Sequence, residues 1–323
     1  MTGEYSVNLQ ENQPSRMAAV WRSLGAAALY FAIYTLIQTL IAYGYDFYLY
    51  LSTPEGLDRM EQLAWRERQY YLAGNLLMIV IDLCLLAFLA IWFTAKRQRL
   101  APALGMKKTR RAALPTALIA GIGVSCLLSF LMSVVTQFLP DVMEEYSQSM
   151  AQTYNMQDFL LYALAGVVGA PLIEELFFRH LMAGRLAEGL PRWVAILLSS
   201  IVFGVVHQHP VQWVYAGVLG FMLACLYFAY DSIWVPVVFH AGFNSVSLLS
   251  YVDLSKLSDG ELAQYQRLML KWYAVFCVLG VAALVLLSLL RTHPVFRKSQ
   301  TSSIADGASA AEEGNAPKEL TNE

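Results

Sequence analysis

Eight apolar runs, parted by short polar stretches, constrain this chain more than any other feature. They fall near residues 24–43, 71–95, 114–139, 159–186, 193–206, 213–230, 233–249 and 272–290. A bilayer core is about 30 Å thick and takes about 20 apolar helical residues to cross. Only 14% of the residues are charged, 57% are hydrophobic and the mean hydropathy is +0.48, where a soluble domain carries about 25% charged residues. The chain therefore reads as all-α, a polytopic membrane helix bundle of about eight transmembrane helices. The formal net charge of −2 gives no reason to expect nucleic acid as a partner. The lipid bilayer is the first partner expected.

The runs divide the chain into a polar N-terminal tail (1–17), a first set of transmembrane helices (18–154), a segment 155–255 in which polar residues interrupt the apolar runs, an interfacial stretch with the last span (256–295), and a tail (296–323) rich in Ser, Ala, Glu and Gly. That composition predicts disorder for the last part. Residues 46–69 are expected to form a mixed-charge loop, 96–111 a basic loop and 252–267 an interfacial one. An even number of spans puts both termini on one side. Fifteen Lys and Arg outside the spans fall on that side, seven of them in the 96–111 loop, against six on the other. Basic residues favour the cytoplasmic face, so both termini are expected in the cytoplasm and the protein in the cell membrane, multi-pass.

One stretch breaks the apolar pattern: Pro171-Leu172-Ile173-Glu174-Glu175-Leu176-Phe177-Phe178-Arg179-His180, which follows fifteen uncharged residues, 159–173. A charge in the bilayer costs roughly 2.5–3.5 kcal/mol on the more modest scales, so such residues tend to face the bundle interior, to be paired and to be functional. Glu175 and Arg179 are four apart with the acid first, the favourable order for an intrahelical pair. Glu174 points about 100° away and is left free. The bland alternative is an ion-pair knot that only pins helices together. Asp82, a lone acid in the second run, is expected to hydrogen-bond a neighbouring helix.

Further along, Phe203 and His207 are four apart, as are His240 and Asn244, so each pair shares a helix face. With a turn near residue 190, Glu174 and His207 lie about 24 Å from it along antiparallel helices, level with one another. Counting from residue 231, His240 stands roughly 14 Å and Asn244 roughly 20 Å up. All four fall within one or two turns in height, toward the outer leaflet by this count. Such a set can hydrolyse a peptide bond. Glu174 acts as general base for a water, because burial brings a carboxyl toward the useful range. His207 orients that water, and His240 and Asn244 donate to the oxyanion, each donor contributing roughly 3–4 kcal/mol. Alternatively Glu174, His207 and His240 hold a zinc ion, a ligand set of known catalytic type; the residues leave both open.

HExxH and GxSxG signatures are absent, and His209 before Pro210 marks a helix boundary. The motifs Glu174-Glu175-xxx-Arg179, Phe203-xxx-His207 and His240-xxx-Asn244, in this order over residues 155–255, resemble the CPBP family: the type II CAAX prenyl endopeptidases and the bacteriocin-processing or Abi membrane proteins. The resemblance implies an intramembrane protease in which Glu174 is the catalytic glutamate, His207 activates the water, His240 and Asn244 form the oxyanion site, and Glu175, Arg179 and Phe203 support them. It implies a peptide or membrane-protein substrate, and either a metalloprotease or a metal-free glutamate mechanism. Arg179-His180 departs from the family's Arg-Gly. Two rival readings stand beside it: a transporter with Glu174, Arg179 and Asp82 along its path, and a catalytically silent scaffold or immunity protein.

Overall fold

The computed structural model describes residues 15–153, 158–207, 209–251 and 254–291, and among these every regular element is helical. The polar tail up to residue 14 and the tail expected from residue 296 lie outside the described residues. The elements are α1 (Arg16–Ser52), α2 (Arg59–Ala95), α3 (Ala113–Phe138), α4 (Pro140–Thr153), α5 (Phe159–Gly189), α6 (Arg192–Val205), α7 (Pro210–Tyr230), α8 (Trp234–Ser245) and α9 (Asp259–Leu290). The protein is a multi-pass membrane helix bundle. All eight apolar runs are helical, and six of these helices are long and apolar enough to cross a bilayer. The 14 residues of α6 rise only about 21 Å, so α6 ends inside the bundle; α8, 12 residues and about 18 Å, runs on into the 3-10 turns of Val246–Tyr251.

The 46–69 stretch departs from the loop expected there. Helices α1 and α2 continue through most of it, each 37 residues long, or roughly 56 Å. Hydropathy marks where lipid ends; a helix ends only where its backbone is capped or broken. Here the break is 53–58. Asp58 then opens α2 with a capping box, accepting from the Glu61 N–H while Glu61 returns to the Asp58 N–H. Similarly, the acidic stretch after α3 is the amphipathic helix α4, and α9 begins at Asp259 inside the stretch expected to be an interfacial loop.

Apolar side chains point both ways. Tyr34, Leu85, Leu89, Leu176, Phe177, Phe178, Leu181 and Phe203 form one buried cluster between α1, α2, α5 and α6, while α3, α7, α8 and α9 bury a second around Ala117, Leu223 and Phe239. Large residues such as Leu40, Ile91, Leu160 and Leu289 stay exposed on the outside, as a lipid-facing surface requires.

The basic loop between α2 and α3 is pinned to one end of the bundle. His180 Nε2 donates to the Ala103 carbonyl at 2.9 Å, and Nδ1 meets the Tyr227 hydroxyl at 2.9 Å. Ile233 N donates to Gly105 O, Ser232 Oγ donates to Lys107 O, and Lys107 pairs with Asp231 at 2.6 Å. Gly105 is required twice over: its φ is +67°, and a Cβ there would lie 2.5 Å from His180 Nδ1. The histidine that departs from the family pattern is thus a loop anchor. The turns near residues 190 and 231 share this edge, so α6 and α8 both start from it, as the depth count assumed.

Candidate active site

Helix α5 is not regular. Residues Ala163–Gly169 and Glu175–Ala183 wind as π-helix on either side of the short α-helical segment Ala170–Glu174. Such widened turns re-aim the side chains around them and recur at functional sites. The two glutamates meet at the start of the second π segment and face different surroundings. Glu175 is fully buried and lies 2.9 Å from Arg179 Nε, the i, i+4 pair expected. The Glu174 side chain keeps a fifth of its surface exposed and lines a cavity of about 2520 Å³ between the helices.

Arg179 is also fully buried. Its Nη groups make no hydrogen bond among the described residues, and the guanidinium carbon stands 4.3 Å from the centroid of the Phe203 ring. An aromatic face accepts a desolvated cation where no second acid is available. The Phe203 ring also contacts the rings of Phe178 at 5.2 Å, His207 at 5.0 Å and His240 at 5.9 Å. It is the hub that sets the buried pair against both histidines.

His207 follows the C-terminus of α6. Its Nδ1 donates to the Phe203 carbonyl at 2.7 Å, so in the neutral ring Nε2 is a hydrogen-bond acceptor. The indole N–H of Trp213 donates to the His207 carbonyl at 2.5 Å. Helix α7 approaches α6 so closely that a Cβ on Gly204 would stand 2.6 Å from the Trp213 carbonyl oxygen. His209 caps α7, its Nδ1 accepting from Val211 N at 3.2 Å with Pro210 at the first helical position. The helix boundary read from His209-Pro210 is therefore in place.

His240 sits between the two acids. Nδ1 is 3.1 Å from Glu175 Oε1, Nε2 is 3.8 Å from Glu174 Oε2, and only 3% of the residue is exposed. Asn244, one turn on, donates Nδ2 to the Gly166 carbonyl at 2.8 Å, inside the first π segment, where widened winding leaves carbonyls in need of donors. An amide nitrogen carries two hydrogens, so one remains for another acceptor. Glu174, His207, His240 and Asn244 all line the 2520 Å³ cavity. Four residues spread over seventy positions thus line one cavity.

Asp82 lines it too. Its Oδ2 is buried with no hydrogen-bond partner among the described residues, so that atom does not make there the bond to a neighbouring helix expected for Asp82. Instead the carboxyl presses on Gly169 in α5. Gly166 was not foreseen as a site residue; the glycines and small residues just before Glu174 were its signal. The zinc alternative needs Glu174, His207 and His240 to converge, and among the described residues no three His, Cys, Asp or Glu side chains form a group able to hold a metal ion.

Comparisons with known proteins bear out the family resemblance. Residues 156–246 match the family model described as type II CAAX prenyl endopeptidase Rce1-like. The protein named "Putative membrane peptidase YdiL", from Bacillus subtilis (strain 168), is 32% identical over 94 residues, which cover 29% of this chain and 38% of that relative. No solved structure matches. The family match spans Glu174, Glu175, Arg179, Phe203, His207, His240 and Asn244.

Proposed function

We propose that this membrane protein, whose residues 156–246 match the family model described as type II CAAX prenyl endopeptidase Rce1-like, is an intramembrane endopeptidase using a glutamate-activated water. The observation that carries the reading is the meeting of Glu174, His207, His240 and Asn244 on one cavity between membrane helices, with Glu175 rather than Glu174 neutralising Arg179.

The chemistry follows from the hydrogen bonds. Water in the cavity donates one hydrogen to Glu174 and the other to His207 Nε2, whose acceptor state the Phe203 carbonyl fixes. Glu174 removes a proton as the water oxygen bonds to the scissile carbonyl carbon. The carbonyl oxygen takes the electron pair and becomes an oxyanion, met by the remaining Asn244 N–H and, when the ring is protonated, by His240 Nε2–H. Collapse re-forms the C=O bond and breaks the C–N bond, and the proton held by Glu174 passes to the departing amine. Preorganised donors in a water-poor site are among the largest single contributions to such catalysis. The substrate is a peptide or membrane-protein segment that enters the cavity from the bilayer; the cavity is wide enough for a chain and its side groups.

The test is cleavage by purified, folded protein with Glu174→Gln and His207→Ala. Both are expected to lose turnover by at least about 100-fold, the scale of a lost general base; undiminished turnover in both ends the proposal. Metal analysis of active protein with and without chelator decides the mechanism: full activity without bound metal supports the glutamate route, and stoichiometric zinc lost together with activity replaces it. Solute flux abolished by Glu174→Gln without any peptide cleaved would favour the transporter, and full complementation by Glu174→Ala the silent scaffold.

A further inference from the structure

A second cavity, of about 410 Å³, opens where α1 begins and where α2 and α5 end. Its lining includes Arg22 from α1, Lys96 just past α2, and Arg185 with Glu188 from α5. Arg185 and Glu188 pair at 2.7 Å. Arg22 Nε donates a long bond, 3.4 Å, to the Ala18 carbonyl of its own helix, and the Lys96 ammonium lies 4.3 Å from the centroid of the Trp92 ring. Three cations therefore face one carboxylate.

Ser23 and Tyr30 also line the cavity, and its large apolar residues, Leu29 and Trp92, lie deeper. Trp92 is four residues before Lys96 and Leu29 seven beyond Arg22, roughly 6 and 10 Å further into the bundle. Leu29 is half-exposed. The Nε1–H of the Trp92 indole is buried with no hydrogen-bond partner among the described residues. The cavity thus runs from cationic rim to apolar wall over the depth at which a bilayer runs from headgroup to acyl chain. Basic pockets between helices at the membrane surface suit lipid headgroups.

We propose that this cavity binds the phosphate headgroup of an anionic membrane phospholipid, with Arg22 and Lys96 on the phosphate and an acyl chain along Leu29 and Trp92. The site is separate from the hydrolytic one and does not depend on the endopeptidase reading. The test uses full-length protein purified in neutral detergent. Native mass spectrometry counts retained phosphatidylglycerol against phosphatidylcholine of the same acyl chains, for the parent and for Arg22→Gln/Lys96→Gln. Phosphatidylglycerol is expected to be retained preferentially by the parent, with affinity falling about fivefold per charge removed. Arg22→Lys/Lys96→Arg should keep the preference, which separates lost charge from misfolding. Equal retention of the two lipids by the parent, or an undiminished preference in the double Gln variant, overturns the proposal. So does inorganic phosphate raising the melting temperature as much as phosphatidylglycerol does, since the ligand would then be free phosphate.

Discussion

Glu174 and Glu175 are neighbours of the same type with opposite tasks, and burial separates them. Glu175 has no surface and pairs with an Arg179 that has none either. Removing one member of such a pair strands the other charge, at a cost of about 3–5 kcal/mol. Glu175→Ala should therefore lower the melting temperature sharply, whereas Glu174→Gln should leave it nearly unchanged and remove only turnover; differential scanning fluorimetry beside a cleavage assay reads both. Asn244→Ala deletes the bond to Gly166, about 0.5–1.5 kcal/mol. Here turnover should fall by more than that loss of stability explains, because the second N–H disappears too. An Asn244 variant with reduced stability and parental turnover would show a purely structural asparagine. The residue types and their spacing were legible in the sequence: the i, i+4 order of Glu175 and Arg179 predicted their pair. What no spacing revealed is that His240 bridges the two acids, since its partners are 65 and 66 positions away.

At the scale of the element, two departures from regular geometry build the site. Helix α5 widens into π turns on both sides of Glu174, and α6 stops after 14 residues. Backbone that is not helical at membrane depth must line protein or a water-filled cavity, and the His207 turn does so. Its position depends on Gly204, where a Cβ would meet backbone rather than a movable side chain. Gly204→Ala should push α6 and α7 apart at a cost of about 1–3 kcal/mol, and slow cleavage by displacing His207; unchanged stability and rate would contradict the packing described. The loop anchor gives a separate expectation. Gly105→Ala forces a left-handed residue against His180, about 1–2 kcal/mol of backbone strain alone, and should speed trypsin cleavage at Arg97, Arg99, Lys107 and Lys108. An unchanged digestion rate would mean that the loop is held by other contacts.

For the whole molecule, helix order and charge together predict an orientation. The 96–111 loop, the start of α1 and the turns at 190 and 231 share one edge, and the 53–58 turn lies a full 37-residue helix away. If basic loops stay inside, single cysteines placed at residue 55 should react with an impermeant thiol reagent on intact cells, and those at residue 109 only after lysis. The reverse pattern would invert the protein and put the site near the inner leaflet. Both α6 and α8 rise from the same edge, and α6 ends below the far surface. The wide cavity therefore opens beside the His207 turn rather than at the basic edge.

Membrane residence, helical class, the order of the spans and the identities of the polar residues inside them were all decided by the sequence, because each rests on local chemistry: an apolar run of sufficient length has few alternatives in lipid, and a charge within it needs a reason. The sequence also carried Glu174, His207, His240 and Asn244 as a set, since helical rise converts residue counts into depth. Tertiary structure decided the rest. It stopped α6 short of a full crossing, carried α1 and α2 well past the hydrophobic limits, turned His180 into a loop anchor, left Asp82 Oδ2 without a hydrogen-bond partner among the described residues and placed Phe203 between a buried arginine and two histidines. These outcomes depend on which helix faces which, and that is set by close packing among distant segments, which no local window of residues encodes.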